Sequence, residues 1–458
     1  MSDANAAGLR RDLGPWAASA VVVGTIIGSG IFLVPKTMIL RVGSPEMVFL
    51  VWVLGGVLSL FGALSYAELA AALPETGGEY TYLREAYGPV WGFLYGWATF
   101  WVARGGSIAT LASGFFYYLA NFYPGLEAVW AYLPLPIGPG GGPLELRYGQ
   151  FAAVAVILLL AGVNYVGVRF SGGVQVAATA VKIALIAGIV AIGFGSGQGS
   201  AANYTSSVPS AGGVAGFFAA MVAALWAYDG WNNVNMVAGE VRNPKKNLAV
   251  ALIAGTLIVI AVYILTNLAY FYVLSGSEVA ASDRVAAAMM RRVLGARGAA
   301  AVSVAAMISI FAALNGSILS GSRVPYALAR DGYFFRPVAR VHPRYRTPGV
   351  SILLLSGWAS LVTLSGRYEQ LFTYVIFASW IFYGMAAGAV LVLRKKRPDL
   401  DRPYRTLGYP FVPVLFVLAS LALTISTLID SPRESLLGLG LIFAGLPFYF
   451  HWKRRNSA

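Results

Sequence analysis

Three kinds of residue stand where an apolar chain does not ordinarily place them. Within the run Val21 to Pro35, Gly28, Ser29 and Gly30 interrupt an otherwise unbroken apolar stretch. A second interruption, Leu225-Trp226-Ala227-Tyr228-Asp229-Gly230-Trp231-Asn232-Asn233, sets an acid, a glycine and two asparagines inside another apolar run. Lys182 lies about ten residues from either end of a third, roughly 15 Å of helix, too deep for its ammonium to reach water easily. In hydrocarbon an open backbone costs several kcal/mol per unpaired group, so such breaks persist where they line a protein-enclosed cavity or hold a ligand. Half-helix ends of this kind hold substrates and ions near the bilayer midplane in secondary transporters. Close helix approach through small residues is the other reading of the glycines.

The elements that must position these residues follow from composition. Of 458 residues 58% are hydrophobic and 11% charged, too few charges to coat a soluble protein of this length. Apolar runs recur at 16–42, 47–73, 90–121, 149–166, 172–195, 214–240, 247–274, 298–328, 348–365, 369–393, 409–430 and 434–452, which predicts an all-α polytopic membrane protein with twelve transmembrane helices. The stretch Ser2 to Pro15 has no apolar core, so no cleavable signal peptide is expected.

The net charge of +14 sits in short loops beside the spans, so it reads as a topology signal and not as a nucleic-acid surface. Loops on the side of both termini carry 21 Lys and Arg against 8 on the other, Arg367 among the latter, which predicts cytoplasmic termini. The outer cluster Arg284 to Arg297 is assigned to a short surface helix. Glu75 to Gly88 is expected as a helix along the cytoplasmic interface, its tyrosines at headgroup level. The Gly- and Pro-rich stretch Pro134 to Pro143 reads as an outer loop. With no cysteine in the chain, disulfides, thiolate metal sites and thiol catalysis are excluded. No metal site and no cofactor is called for.

The two breaks fall in the first and sixth segments, so each opens a block of five segments of opposite orientation. Paired broken helices in corresponding halves point to a transporter site. Trp226 stands at the second break, where it can close over a ligand. For Asp229 two readings stand: a contact to a cationic substrate, or a cap on the unwound backbone. Lys182 is either a fixed positive charge where sodium would otherwise bind, a proton-coupling group, or a brace between helices. Arg104, beside Gly105 and Gly106, either lines the cavity or pairs between helices. Glu68 and Arg323 read as structural ion-pair or gate residues; Asn315, Ser317 and Ser320 as helix–helix glue; Trp380 and Tyr383 as weaker site candidates.

Gly24-Thr25-Ile26-Ile27-Gly28-Ser29-Gly30-Ile31-Phe32, Trp226-Ala227-Tyr228-Asp229-Gly230-Trp231-Asn232, Gly239-Glu240-Val241-Arg242-Asn243-Pro244 and Thr266-Asn267-Leu268-Ala269-Tyr270-Phe271 strongly resemble the L-type amino acid transporter family of the amino acid-polyamine-organocation superfamily. Pro35-Lys36 and the form of the second motif look most like the branch that exchanges cystine and basic amino acids for neutral ones. The resemblance spans nearly the whole chain. It implies one transmembrane transporter domain over 1–458 with an inverted five-plus-five repeat of the leucine-transporter type: repeat one at 16–195, repeat two at 214–393, and two added helices at 409–452, with helices 1 and 6 unwound. It further implies sodium-independent antiport of neutral amino acids across the plasma membrane, with cationic amino acids left open as further substrates.

Carried over by position, the substrate carboxylate meets backbone amides at Ser29 and Gly30 beside Gly28, and the ammonium meets carbonyls of Ile26, Trp226 and Asp229. Trp226 gates, Asn232 neighbours the site, and Lys182 takes the place of a sodium ion. Eukaryotic members join a glycoprotein through a cysteine between segments three and four; this chain has none, so no disulfide-linked partner is expected. The competing functions are a proton-coupled amino acid importer and, more remotely, a membrane-embedded enzyme. The enzyme reading finds only two histidines, His342 and His451, both near segment ends.

Overall fold

A computed structural model describes residues 8–135, 142–210, 212–365 and 368–457. The Arg367 of the topology count, positions 136–141 of the outer loop and residues 1–7 of the N-terminal lead lie outside the described residues. Among those described, nine helices are long and apolar enough to cross a membrane, with shorter apolar helices at Gly213–Ala227 and Gly349–Leu364. The chain is a predominantly helical, multi-span membrane protein.

Burial sorts the helices. The stretch Pro15–Val42 has 83% of its most apolar window buried and Val285–Arg330 78%, whereas Phe411–Ile429 has 22%. One face of the last tells why: Val414, Leu415, Leu418, Leu421 and Ile425 recur at helical spacing and are all exposed, an apolar face that only lipid satisfies. The centre of the molecule is therefore the stretch that holds the first break.

That stretch is two helices, α1 (Pro15–Ile26) and α2 (Gly30–Val42), with extended backbone at Ile27 between them. α3 (Pro45–Ala72) starts on a Ser44 cap whose side chain accepts from the Met47 N–H. After α4 (Glu79–Tyr87), α5 (Pro89–Ala98) passes into a π-helical segment, Thr99–Arg104, and then α6 (Gly105–Leu119). An antiparallel pair, β1 (Val129–Leu133) and β2 (Leu144–Arg147), flanks the outer loop. α7 (Tyr148–Val166) and α8 (Val168–Gly195) follow.

α9 (Gly213–Ala227) stops at the second break and α10 (Asn233–Met236) is a single turn beyond it. α11 (Pro244–Val273), α12 (Gly276–Ala280) and α13 (Val285–Gly321) come next; Gly295, at φ 66° and ψ −153°, separates the turns at 285–294 from the long remainder of α13. α14 (Arg323–Arg330), α15 (Gly349–Leu364), α16 (Tyr368–Lys396), α17 (Phe411–Asp430), α18 (Pro432–Phe443) and α19 (Leu446–Ser457) complete the chain.

One expectation is corrected. Tyr80 and Tyr82 of α4 do not face the headgroups: with Glu79 they are fully buried within the protein. Each finds an inward partner. The Tyr80 hydroxyl donates to Asp331 at 2.8 Å, the Tyr82 ring meets Tyr66 edge-on, and Glu79 accepts from Tyr95 at 3.0 Å. The tips of Tyr80 and Glu79 are paired inside, whereas the buried Tyr82 hydroxyl has no hydrogen-bond partner among the described residues and Tyr82 is held by ring packing alone.

Candidate functional site

The two breaks face each other across a very short distance. Gly230 holds φ +110°, a conformation only glycine adopts freely, and a Cβ there would meet the Thr25 backbone at 3.1 Å. Its carbonyl accepts the Thr25 hydroxyl at 2.9 Å. At Gly30 a Cβ would lie 2.8 Å from that of Ala227, so any larger residue forces the two breaks apart. A parallel bridge at the ends of the same segments, Leu13 to Val241, ties them again.

Between the breaks is a cavity of about 60 Å³. Ile26, Gly28, Ser29 and Gly30 line it from the first, Trp226, Ala227, Asp229, Gly230 and Asn233 from the second. Arg104, Ser107, Thr110 and Leu111 close it from the π segment and α6, Ser317 from α13, and Ser379 and Trp380 from α16. Six of the predicted residues, Ile26, Gly28, Ser29, Gly30, Trp226 and Asp229, thus share one cavity; Lys182 and Asn232 do not line it.

Chemically the cavity offers helix ends. α2 begins at Gly30, and the first amides of a helix have no intrahelical partner and carry roughly half a positive charge. The C-terminal carbonyls of α1 and α9 face the other way, with roughly half a negative charge. The Tyr263 hydroxyl, from α11, lies 3.0 Å from the Ile26 carbonyl and 2.8 Å from that of Ala227. It has one proton for two acceptors, so one carbonyl is always short of a donor from it.

Lys182 sits behind the first break. Its ammonium donates to the carbonyls of Gly24 and Ser309, both at 2.9 Å, and of Ile27, and is fully buried. The Ser309 hydroxyl reaches the Ile27 and Gly28 carbonyls at 3.0 Å. A cation within a ring of carbonyls from the broken segment and α13 is the geometry in which transporters bind sodium.

The second break is held by its own side chains. Asp229 accepts the Tyr383 hydroxyl at 2.7 Å, and among the described residues no backbone N–H bond to its carboxylate is present, so it does not act as a backbone cap. Arg104, 5% exposed, donates to Asn233. Asn232, expected beside the site, does not line the cavity: it is fully buried and its amide donates to Glu79. Asn232 is the N-cap of α10 and Asn233 its first residue, so their side chains leave the helix about 100° apart, and it is Asn233 that lines the cavity. Among the described residues the Glu79 carboxylate accepts from the neutral donors Asn232 and Tyr95; burial raises its carboxyl above the ordinary range, against the lowering by the Asn232 amide and by the charge of Arg104.

Further out, Arg323 meets Glu240 through two bonds at 2.7 and 3.1 Å with both side chains at 0% exposure, and Arg394 meets Glu68 at 2.9 and 2.7 Å. Asn315 joins Asn164 at 3.0 Å and Gln175 at 2.8 Å, binding α13 to α7 and α8.

The amino acid permease family profile matches residues 13–445. The chain belongs to that family. This permease is 35% identical over 98% of its length to the serine/threonine exchanger SteT of Bacillus subtilis, of which it covers 99%. It is 34% identical over 97% of its length to the human b(0,+)-type amino acid transporter 1, covering 89% of that protein, and 30% identical over 94% to the human cystine/glutamate transporter, covering 83%. The L-type resemblance read from the motifs accords with these relatives, all of them transporters.

Tyr263, Ser309, Glu79 and Asn233 are the site's residues that sequence reasoning passed over. A tyrosine within an apolar run looks like any belt or packing aromatic, and only Asn233 carried a signal, as part of the polar interruption.

Proposed function

We propose that this permease exchanges amino acids across the plasma membrane by alternating access, without sodium. The observation that carries the reading is the cavity between two broken helices with a lysine ammonium, not an open space, inside the carbonyl ring behind it. The substrate carboxylate meets the amides of Ser29 and Gly30 at the start of α2. Its ammonium meets the carbonyls of Ile26, Trp226 and Asp229, and Trp226 closes over it. Each carbonyl has a second lone pair beyond the bond it already makes. Lys182 supplies the positive charge that sodium supplies elsewhere.

Small neutral substrates suit the pocket. About 60 Å³ is room for about two water molecules, less than a free alanine, serine or threonine fills, so the cavity favours the smallest side chains and must widen to admit even these. Arg104 lines the cavity together with Asp229, whose carboxylate is already engaged by Tyr383, which weakens its appeal to a cationic side chain. The serine/threonine exchanger among the relatives supports the same choice. The arrangement is that of twelve spans with both termini cytoplasmic, the repeats at 16–195 and 214–393 rocking about the breaks and 409–452 appended. With no cysteine, any partner subunit is held non-covalently.

Counterflow tests this. Proteoliposomes preloaded with unlabelled serine should take up labelled serine, threonine or alanine at least roughly tenfold faster than empty ones. Equal rates loaded and empty would exclude exchange, and uptake driven by an imposed pH gradient into empty vesicles would establish the proton-coupled importer, for which Glu79, buried among neutral donors, is the available proton site.

A further inference from the structure

A second groove lies at the inner end of α7 and α8, well away from the substrate cavity. Its volume is about 740 Å³, and its walls are Val166, Gly167, Val168, Phe170, Gly173, Val174 and Ala177, with Arg10, Asp12, Arg169, Arg344 and Tyr345 around them. The two halves of this lining differ in kind. Phe170, Gly173, Val174 and Ala177 follow helical spacing along one face of α8, a track of roughly 10 Å that starts beside Arg169 and runs toward the middle of the helix. Phe170 is 56% and Val166 49% exposed, so this track opens sideways to lipid.

The mouth carries three guanidiniums and one carboxylate. Asp12 is itself shared, 3.6 Å from Arg10 and 3.8 Å from Arg242. Arg169 and Arg344 are exposed, and among the described residues neither has a carboxylate within 4.0 Å. Arg344 lies over the Tyr345 ring at 5.5 Å, which holds the guanidinium at the mouth. Uncompensated positive charge at headgroup depth above an apolar track fits a molecule with an anionic head and a hydrocarbon tail.

We propose that this groove is a binding site for one anionic phospholipid of the inner leaflet, its phosphate on Arg169 and Arg344 with Arg10 behind, and one acyl chain laid along Gly173 and Ala177. Bound there, the lipid bridges α7 and α8 to the loop that carries Arg344, and thereby steadies the inner end of the helix that holds Lys182.

The test reads lipid retention by native mass spectrometry of the full chain in detergent, a measurement independent of transport, so its outcome stands whether or not the exchange reading does. Palmitoyl-oleoyl-phosphatidylglycerol should be retained at one molecule per chain and phosphatidylcholine with the same acyl chains should not. Arg169→Gln with Arg344→Gln should weaken retention roughly thirtyfold. A Cβ at Gly173 meets nothing within 4 Å, so Gly173→Leu should fold as the parent does while filling the acyl track, and retention should fall with both arginines intact. Equal retention of the two lipids, unaltered retention in both variants, or displacement of the lipid by glycerol phosphate at matching concentration would each overturn the proposal, the last by assigning the arginines to a soluble phosphate.

Discussion

The two breaks solve the same backbone problem by opposite means. At Ile27 to Ser29 the chain has almost no polar side chains of its own, and its open carbonyls are satisfied from outside, by Lys182 and Ser309, with Tyr263 on the neighbouring Ile26. At Tyr228 to Asn232 the chain brings its own polar groups, and these reach outward to Tyr383 and Glu79, with Arg104 meeting Asn233 just beyond. In the proposed reading the first break, a backbone surface with a fixed cation behind it, holds the carboxylate every amino acid shares, and its Ile26 carbonyl shares the ammonium with the Trp226 and Asp229 carbonyls of the second. The second also exposes side-chain chemistry to the cavity, suited to telling one amino acid from another. On that reading carboxylate recognition belongs to the first break and selectivity to the second.

The largest effect expected along this line is at Lys182. Lys182→Ala leaves three buried carbonyls without their charged donor, and transport should fall at least roughly a hundredfold for every substrate alike, while the protein is still extracted folded. Uptake of serine and leucine, measured side by side, checks it; normal transport, or loss for one substrate only, breaks the division. Tyr263→Phe removes a single proton shared by the Ile26 and Ala227 carbonyls and should slow exchange roughly tenfold, again without changing substrate preference. Asp229→Asn should act on preference instead, lowering arginine relative to serine by roughly threefold to tenfold in a competition assay; equal losses for both would move selectivity away from the second break.

The smallest effect is a slope. The Glu79 carboxyl is raised by burial, so the stability it contributes is fully present below its unfolded pKa and is lost as pH rises through the folded one. Glu79→Gln does not titrate. The melting temperature of the variant minus that of the parent should increase as pH rises from about 4, the unfolded carboxyl range, to about 9, and a constant or falling difference over that range would show that the carboxyl is not raised.

Much of this was legible in the chain because hydrocarbon tolerates so little. A Gly-Ser-Gly interruption, an Asp-Gly pair and a lysine deep in apolar runs each violate the solvent they must cross, and the violation marks the place. What was not legible is direction. Nothing in Asn232-Asn233 says which amide faces the cavity, because α10 is a single turn and too short to show a period. The tyrosines of α4 have the composition of an interfacial helix, and only their partners, Asp331 and Tyr66, show that they turn inward. Tyr263 shares its helix with another buried tyrosine, Tyr270, and its hydroxyl is distinguished by the two carbonyl ends that tertiary packing brings to it.

The proposed assignment of the substrate carboxylate to the first break has one direct measurement. Serinamide and N-acetylserine, which keep the side chain and lose the carboxylate charge or the ammonium, should compete with labelled serine in preloaded proteoliposomes at least roughly a hundredfold more weakly than serine itself. Competition by serinamide as strong as by serine would mean that the amides of Ser29 and Gly30 do not hold a carboxylate, and the division of labour between the two breaks would fail with it.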